Sequence, residues 1–540
     1  MLLSDNIKDD LELSDATKNN SLYNSLFTNE HDYAKCTSDL WSEYYTDDKK
    51  YLKDTQKLLS KTHSVNVDVL QCWNHLKGDH EFNDRYQFIN IKYFEFLNHN
   101  SMFLQMVSIY KFASPLISLI YPIFILFVPL LILKYFNGID ISFSQYFSIM
   151  KIFIMNNSLV KLFTEFSLTN WRQSFYLLFS ACMYIFSIYQ NIVSCISFHK
   201  NMKNINKYII ELTKYMEREV NTMNRFQDNC SNLSTYKPFL QRMNKHKQIL
   251  LKSINTFSRV DDYKWNYNNL SCMGYSMKLL YHIYYNRDFH DAIMYSFGFN
   301  GYLLNIQDIQ TNIHSKYINK VSFGKSTKFK EAYYPIFKGK KHIKNNCSLK
   351  NNVIISGPNA SGKTTLIKTI LFNVLLSQQI GYGFYKTASI KLYKHIHSYL
   401  NIPDTSDRDS LFQAEARRCR EIINSLEKNK NHNHFCIFDE LYSGTNPYEA
   451  TASAYAFIKY MLKKNIDFML TTHFVELCEN LNDVNRIENS QMDIVVKDDI
   501  ITYLYNLKPG ISKHRGGVHV LKQLRYPEEI IIETKNYLNR

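Results

Sequence analysis

Asn352–Leu366 reads NVIISGPNASGKTTL. Val353, Ile354 and Ile355 form a short apolar run that stops before Gly357. Gly357 and Gly362 bracket Pro358, Asn359, Ala360 and Ser361, and Lys363, Thr364 and Thr365 follow. This is the G-x-x-x-x-G-K-[ST] spacing, set between an apolar strand and a helix that continues through Leu366, Ile367, Ile370 and Leu371. Glycines let successive backbone N–H groups turn inward around phosphate oxygens, and the start of the helix aims its positive end at them. Lys363 supplies a point charge for the β and γ phosphates, and the Thr364 hydroxyl is placed to hold Mg²⁺. Residues 357–365 are therefore the candidate ATP-binding loop.

Two further apolar runs follow, and each ends in a residue with chemistry. Phe435–Glu440 reads FCIFDE. Asp439 is expected in the Mg²⁺ shell, and Glu440 is expected to orient or deprotonate an attacking water. One carboxylate serves both roles poorly, because metal contact lowers its basicity. Phe468–His473 reads FMLTTH, with His473 placed to sense the γ-phosphate. From about Lys338 to Arg540, strands alternate with helices, which predicts an α/β domain on a parallel sheet.

The chain of 540 residues has room for several domains, and 45% hydrophobic residues can fill their cores. The formal charge of +15 suits an anionic partner, nucleic acid or membrane, although a general excess of Lys produces the same balance. Ten cysteines are scattered with no C-x-x-C pair, so reduced thiols and no zinc site are expected. The acidic start, 1–20, is expected to fray, and 21–111 to be helical, with Val69, Trp73 and Leu76 at helical spacing.

Phe112–Leu133 and Gln173–Phe198 carry no charge, and each is longer than the ~20 residues that cross a bilayer. They predict a transmembrane hairpin over 112–199. Pro115, Pro122 and Pro129 share one face, and Ser180, Ser187 and Ser194 share another, so the serine stripe is expected to pack on the proline stripe. The connector between the spans is apolar and suits a membrane surface. Nucleotide is cytosolic, so both ends of the hairpin should face the cytosol; Lys200, Lys203, Lys207, Lys214 and Arg218 after the second span agree with that. Residues 200–319 read as long helices with an apolar seam through Ile209, Leu212, Met216 and Val220.

The residues after the acidic pair carry a family resemblance. DELYSGTNPYEA (Asp439–Ala450) resembles the MutS pattern D-E-x-x-x-G-T-x-x-x-[DE], and no LSGGQ-like signature of transporter ATPases occurs. DSLFQAEARR (Asp409–Arg418) is similar to the MutS segment in which a serine, here Ser410, reaches the neighbouring subunit's nucleotide. TTHFVEL (Thr471–Leu477), YYPIF (Tyr333–Phe337) and the stretch from Ile501 to Ile531 also resemble that family in its order. The resemblance covers about 320–540. It implies a P-loop NTPase domain of the ABC/MutS type, behind an all-α region that contains the hairpin. It also implies ATP and Mg²⁺, and a homodimer or a heterodimer with a related ATPase. Catalysis would rest on Lys363, Glu440 and His473, and the metal on Thr364 and Asp439.

DNA is an implied partner, with Lys and Arg between Lys200 and Lys252 as candidate phosphate contacts. Ala360 and Ser361 stand where mismatch-repair members carry Met and Gly. The 111 residues before the hairpin are short for the mismatch-reading and connector domains, and none of the four Phe-x-Glu pairs, among them Phe163–Glu165, is assigned to DNA. A membrane scaffold or remodelling ATPase without nucleic acid is the alternative. A half-transporter is disfavoured by the missing signature.

Overall fold

The computed structural model describes the chain apart from residues 14–20, 29–30, 62–72, 75–76, 79–85, 87, 136–141, 157–170, 264–266, 401, 403–409, 465, 498–499, 514–517, 519–520, 523 and 539–540. At 121–127, 129–135, 143, 149, 153, 156, 171–174, 267–269, 497, 500 and 538 it describes the backbone alone. Val69, Leu76, Asp409, Phe163–Glu165 and part of the segment after Ile501 therefore lie outside the described residues, as does most of the connector between the apolar stretches.

In chain order the helices are α1 (Asp5–Leu11), α2 (Asp32–Glu43), α3 (Lys49–Leu58), α4 (Ser101–Tyr135), α5 (Phe143–Asn156), α6 (Trp171–Cys230), α7 (Lys237–Phe257), α8 (Tyr267–Tyr285) and α9 (Arg287–His314). The strands are β1 (Asn319–Phe323), β2 (Thr327–Ala332), β3 (Asn345–Leu349), β4 (Asn352–Ser356), β5 (Tyr382–Gly383), β6 (Thr387–Ile390), β7 (His395–Tyr399), β8 (His434–Asp439), β9 (Ile466–Thr472), β10 (Ile487–Lys497) and β11 (Ile500–Pro509). Interleaved with them are α10 (Lys363–Ile380), α11 (Leu411–Lys428), α12 (Pro447–Leu462), α13 (Val475–Asn480) and α14 (Glu528–Leu538).

Two compact units divide the chain: one holds 1–66, 225–242 and 297–540, and the other holds 67–224 and 243–296. The first contains a six-stranded sheet in the order β11-β10-β4-β9-β8-β7. β10, β4, β9, β8 and β7 run parallel, and β11 closes the edge antiparallel. The parallel sheet that was expected thus carries one antiparallel edge strand. β4 and β8 are continuous apolar runs because helices cover both faces of a parallel sheet. A second, mostly antiparallel sheet, β3-β2-β6-β1-β5, flanks the first, and no pattern in the sequence announced it.

α10 is buried from Leu366 onward on nearly every face. A helix apolar all round belongs in a core, and each fully buried Leu or Ile there contributes about 1.5–3 kcal/mol. Its polar end is met by the N-terminal segment: Gln379 Nε2 donates to the Trp41 and Tyr44 carbonyls (2.8 and 3.0 Å), and Gln378 Nε2 to that of Thr46 (3.0 Å). The first thirteen residues do not fray as expected. Leu3, Ile7, Leu11 and Leu13 are buried, the Met1 ammonium donates to the Tyr45 carbonyl (2.7 Å), and α1 sits between these anchors. Asp5 and Asp9 mark the solvent face of that helix, while Asp10 is buried with Ile7 and Leu11.

In the helical unit, α4 and α6 are long enough and apolar enough to cross a membrane, over Ser101–Ile120 and within Phe175–Cys230. Only 11% of each apolar window is buried. Two of the three stripe serines lie off the protected face of α6, while Ser180 is half-buried. Ser187 and Ser194 are exposed, and the protected stripe of α6 is Leu177, Ala181, Tyr184, Ile188, Cys195 and Phe198. From that stripe the Tyr184 hydroxyl donates to the Ser118 carbonyl (3.3 Å) and Cys195 Sγ to that of Phe112 (3.6 Å). The protected positions recur at helical spacing, so one face of α6 packs.

Candidate nucleotide-binding site

β4 ends at Ser356 and α10 begins at Lys363, with Gly357–Gly362 as the connecting loop. Gly362 sits at φ +91°, and a Cβ there would meet the Tyr505 ring at 2.9 Å, so the position requires glycine. Ala360 also lies in the left-handed region, at φ +63°. That conformation costs a residue with a Cβ roughly 1–2 kcal/mol, so the surrounding loop enforces it.

The predicted catalytic residues meet at the carboxyl ends of β4, β8 and β9. Lys363 is buried, and its Nζ donates to the carbonyls of Gly357 (2.9 Å) and Pro358 (3.2 Å). The same Nζ lies 3.3 Å from Glu440 Oε1. The other Glu440 oxygen is 3.5 Å from His473 Nδ1. The His473 hydrogen bond, with the Lys363 charge behind it, holds the Glu440 carboxyl below its usual range against the opposing effect of burial. Asp439 does separate work: Oδ2 accepts from Thr364 Oγ1 (2.8 Å) and Oδ1 from Thr471 Oγ1. Parallel registration of β8 with β9 produces this pairing, because Asp439 stands opposite Thr471. Thr364 and Asp439 are thus neighbouring hard oxygen donors beside Lys363, a donor set that fits Mg²⁺.

Ser410 is the N-cap of α11. Its hydroxyl accepts from the Gln413 N–H (3.3 Å), and Gln413 Oε1 accepts the Ser410 N–H (3.0 Å). The D-E-x-x-x-G-T-x-x-x-E spacing has a local cause as well: the Thr445 hydroxyl donates to Glu449 (3.0 Å) at the first turn of α12, which Asn446 caps.

A cleft of about 580 Å³ runs along the loop from Asn359 to Thr365, past Asp439 and Glu440, to Tyr399, Glu415 and Ser443. A second cavity of about 420 Å³ is lined by Tyr333, Tyr334, Phe337, His342, Ile343 and Tyr505, and both cavities touch Gly362, Thr365 and Tyr505. Tyr333 and His342 stack with ring centroids 4.2 Å apart. The result is a polar trough beside an aromatic recess.

Residues 353–540 match the family described as MutS domain V. The C-terminal region is MutS-like. It is 29% identical over 215 residues to the DNA mismatch repair protein MutS of Persephonella marina, covering 38% of this chain and 24% of that protein. Identity to the MutS of Aquifex pyrophilus is 31% over 187 residues, or 34% of this chain and 21% of that protein. Identity to the Endonuclease MutS2 of Clostridium novyi is 26% over 209 residues, or 38% and 26%. The chain thus matches about a quarter of the length of these relatives.

The sequence reading missed Tyr399, Glu415, Ser443 and Tyr505 on the cleft within the MutS-like region, and His342 in the aromatic recess just before it. Glu415 lay inside a quoted motif, and a buried-face position (Glu415, Cys419, Ile422, Leu426 along α11) was the signal that it points inward. Tyr505 sits on an antiparallel edge strand, and only sheet topology brings it over Gly362.

Proposed function

We propose that this protein is an ATPase that binds ATP in its MutS-like region at an interface between two copies, or with a related ATPase, and is held in a membrane by α4 and α6. The observation that carries the nucleotide reading is the convergence of Lys363, Thr364, Asp439, Glu440 and His473 beside Gly357–Gly362 at one end of the sheet. Backbone N–H groups of the loop and Lys363 bind the phosphates, and Tyr333, His342 and Tyr505 receive the base. Thr364 and Asp439 would hold Mg²⁺, which would supply neutralising charge to the phosphates. As Lys363 turns to phosphate, Glu440 loses a cationic neighbour, so its basicity rises where it accepts a proton from water. His473, hydrogen-bonded to Glu440, orients that carboxylate. Ser410, exposed at the tip of α11, completes the site of the facing subunit.

The membrane reading is supported by apolar helices that are not buried, since a core helix of equal hydropathy is enclosed. Exposed Lys200, Lys203, Lys207 and Lys214 after the second apolar stretch support a cytosolic ATPase region. DNA enters through the relatives, which are named mismatch repair proteins. The same exposed lysines offer phosphate contacts, while a membrane scaffold without DNA is the competing reading.

The test uses full-length protein in detergent. Lys363→Ala should lose ATP binding. Glu440→Gln should keep binding and lose about 10²–10⁴-fold in turnover. Normal turnover by Glu440→Gln would remove the base assignment. Turnover that responds to homoduplex, mismatched or branched DNA in a salt-dependent way separates the DNA reading from the scaffold reading.

A further inference from the structure

We infer that Glu415 is a positioning residue that holds the segment after Glu440 in its working shape and ties it to the helix that begins at Ser410. The inference rests on the ATPase reading above. The Glu415 side chain is 2% exposed. One oxygen accepts from the Ser443 N–H (3.0 Å) and the Ser443 hydroxyl (2.9 Å), and the other accepts from the Gly444 N–H (3.1 Å). The Tyr399 hydroxyl also donates to Glu415, and its oxygen accepts the Tyr442 N–H (3.2 Å). Glu415 and Tyr399 thus fix three consecutive backbone N–H groups, those of Tyr442, Ser443 and Gly444.

That segment needs fixing. Glu440 and Tyr442 both occupy the left-handed region, at φ +51° and +60°, in which residues with side chains persist only when their surroundings enforce it. Gly444 lies against the first turn of α11 so closely that a Cβ would meet Phe412 N at 2.8 Å. Phe412 in turn packs on the Tyr442 ring (5.7 Å between centroids). α11 therefore grips the loop with a carboxylate, an aromatic contact and a close backbone approach. Its exposed tip, Ser410, lies about 7.5 Å along the axis from Glu415. A displacement of Ser410 by a facing subunit is carried to Ser443 and Gly444, and through the strained turn to Glu440. Hydrolysis thereby waits on assembly of the pair.

The experiment compares the wild-type chain, Glu415→Ala, Glu415→Gln, Glu440→Gln and the Glu415→Ala/Glu440→Gln double variant in detergent. Glu415→Ala should lower kcat about 10- to 100-fold, as sub-ångström to ångström misplacement does, while the Kd for an ATP analogue moves less than about threefold. Amide hydrogen exchange at Ser443 and Gly444 should accelerate, and Glu415→Gln, which keeps one acceptor, should recover part of kcat. In the Glu440→Gln background, adding Glu415→Ala should leave the residual turnover unchanged, because it acts through Glu440. Unchanged kcat in Glu415→Ala overturns the inference, as do losses that multiply with Glu440→Gln, or loss of ATP binding in step with Tm. Wild-type protein that neither binds nor hydrolyses ATP overturns the ATPase reading beneath it, and is recognised because the variants are not needed to see it.

Discussion

α10 and the apolar parts of α4 and α6 are all rich in large apolar side chains, and those side chains are opposite in fate. α10 carries Leu, Ile, Phe and Val on every side, and nearly all of them are buried by the sheets and the N-terminal segment. α6 carries Phe175, Tyr176, Phe179, Ile185, Phe186, Ile192 and Ile196 equally densely, and all are exposed. An apolar helix states that it needs a non-aqueous neighbour; it does not state whether that neighbour is the protein's own sheet or lipid. Length divides the two in part, since α10 stops at Ile380 and α6 runs on to Cys230.

The sharpest way to break this comparison is to place one charge in each helix. Ile370→Lys puts an unpaired ammonium into the core of the α/β unit and should destabilise it by about 4–5 kcal/mol or more, read as loss of folded protein in chemical denaturation. Ile192→Lys, at a position 42% exposed, should leave the melting transition in detergent nearly unchanged and reduce co-flotation with membranes. Equal loss of fold from both variants would make α6 a core helix.

A smaller effect tests which face of α6 packs. Ala181→Leu overfills the protected stripe and should cost about 1–3 kcal/mol in detergent stability, whereas Ser187→Leu on the exposed face should cost nothing measurable. The reverse result would restore the serine stripe as the packing surface.

The last effect is a pH dependence centred on β7 and β8 of the α/β unit. On β7, burial and then the neighbouring His434 push His395 down to about 4 and His397 to about 3. Their rings pair across to β8 and the turn before it, His395 Nε2 with His432 Nδ1 at 2.9 Å and His397 Nε2 with His434 Nδ1 at 3.2 Å. Between pH 6.5 and about 4 the unfolded chain takes up protons that these folded rings refuse, so stability should fall as pH drops through that window and be flat above 7. Asp10, which burial raises to about 6, opposes the trend with one group against several. Denaturant midpoints at pH 7.5 and 5 in the wild type and in His395→Asn/His397→Asn should show the slope shrink in the variant. The helical unit has no part in this cluster, but burial also lowers His246 and His282 there, so a slope of the same sign should remain in the variant.

Much of the candidate site was legible because its parts are local. The phosphate loop, the acidic pair and His473 each close a buried strand, and strand ends in a parallel sheet gather by topology. Ser410 was found by motif, and its capping role by geometry. Tyr505 and His342 escaped because nothing in their own neighbourhoods marks them, and Glu415 because its place on the buried face of α11 does not say what it meets. An edge strand, an irregular segment and a helix face acquire meaning only once the chain has brought them to Gly362 and Ser443.

By itself, the sequence determined where phosphate chemistry is possible and which helices cannot face water, because glycine spacing, residue charge and apolar length are properties of short stretches. The tertiary structure alone decided which apolar helix is enclosed. It also showed that the first residues dock beside α10 instead of fraying, and that a glutamate on α11 grips the strained turn behind Glu440. Those outcomes depend on surfaces meeting across hundreds of residues, and local chemistry cannot specify which of several compatible surfaces will meet.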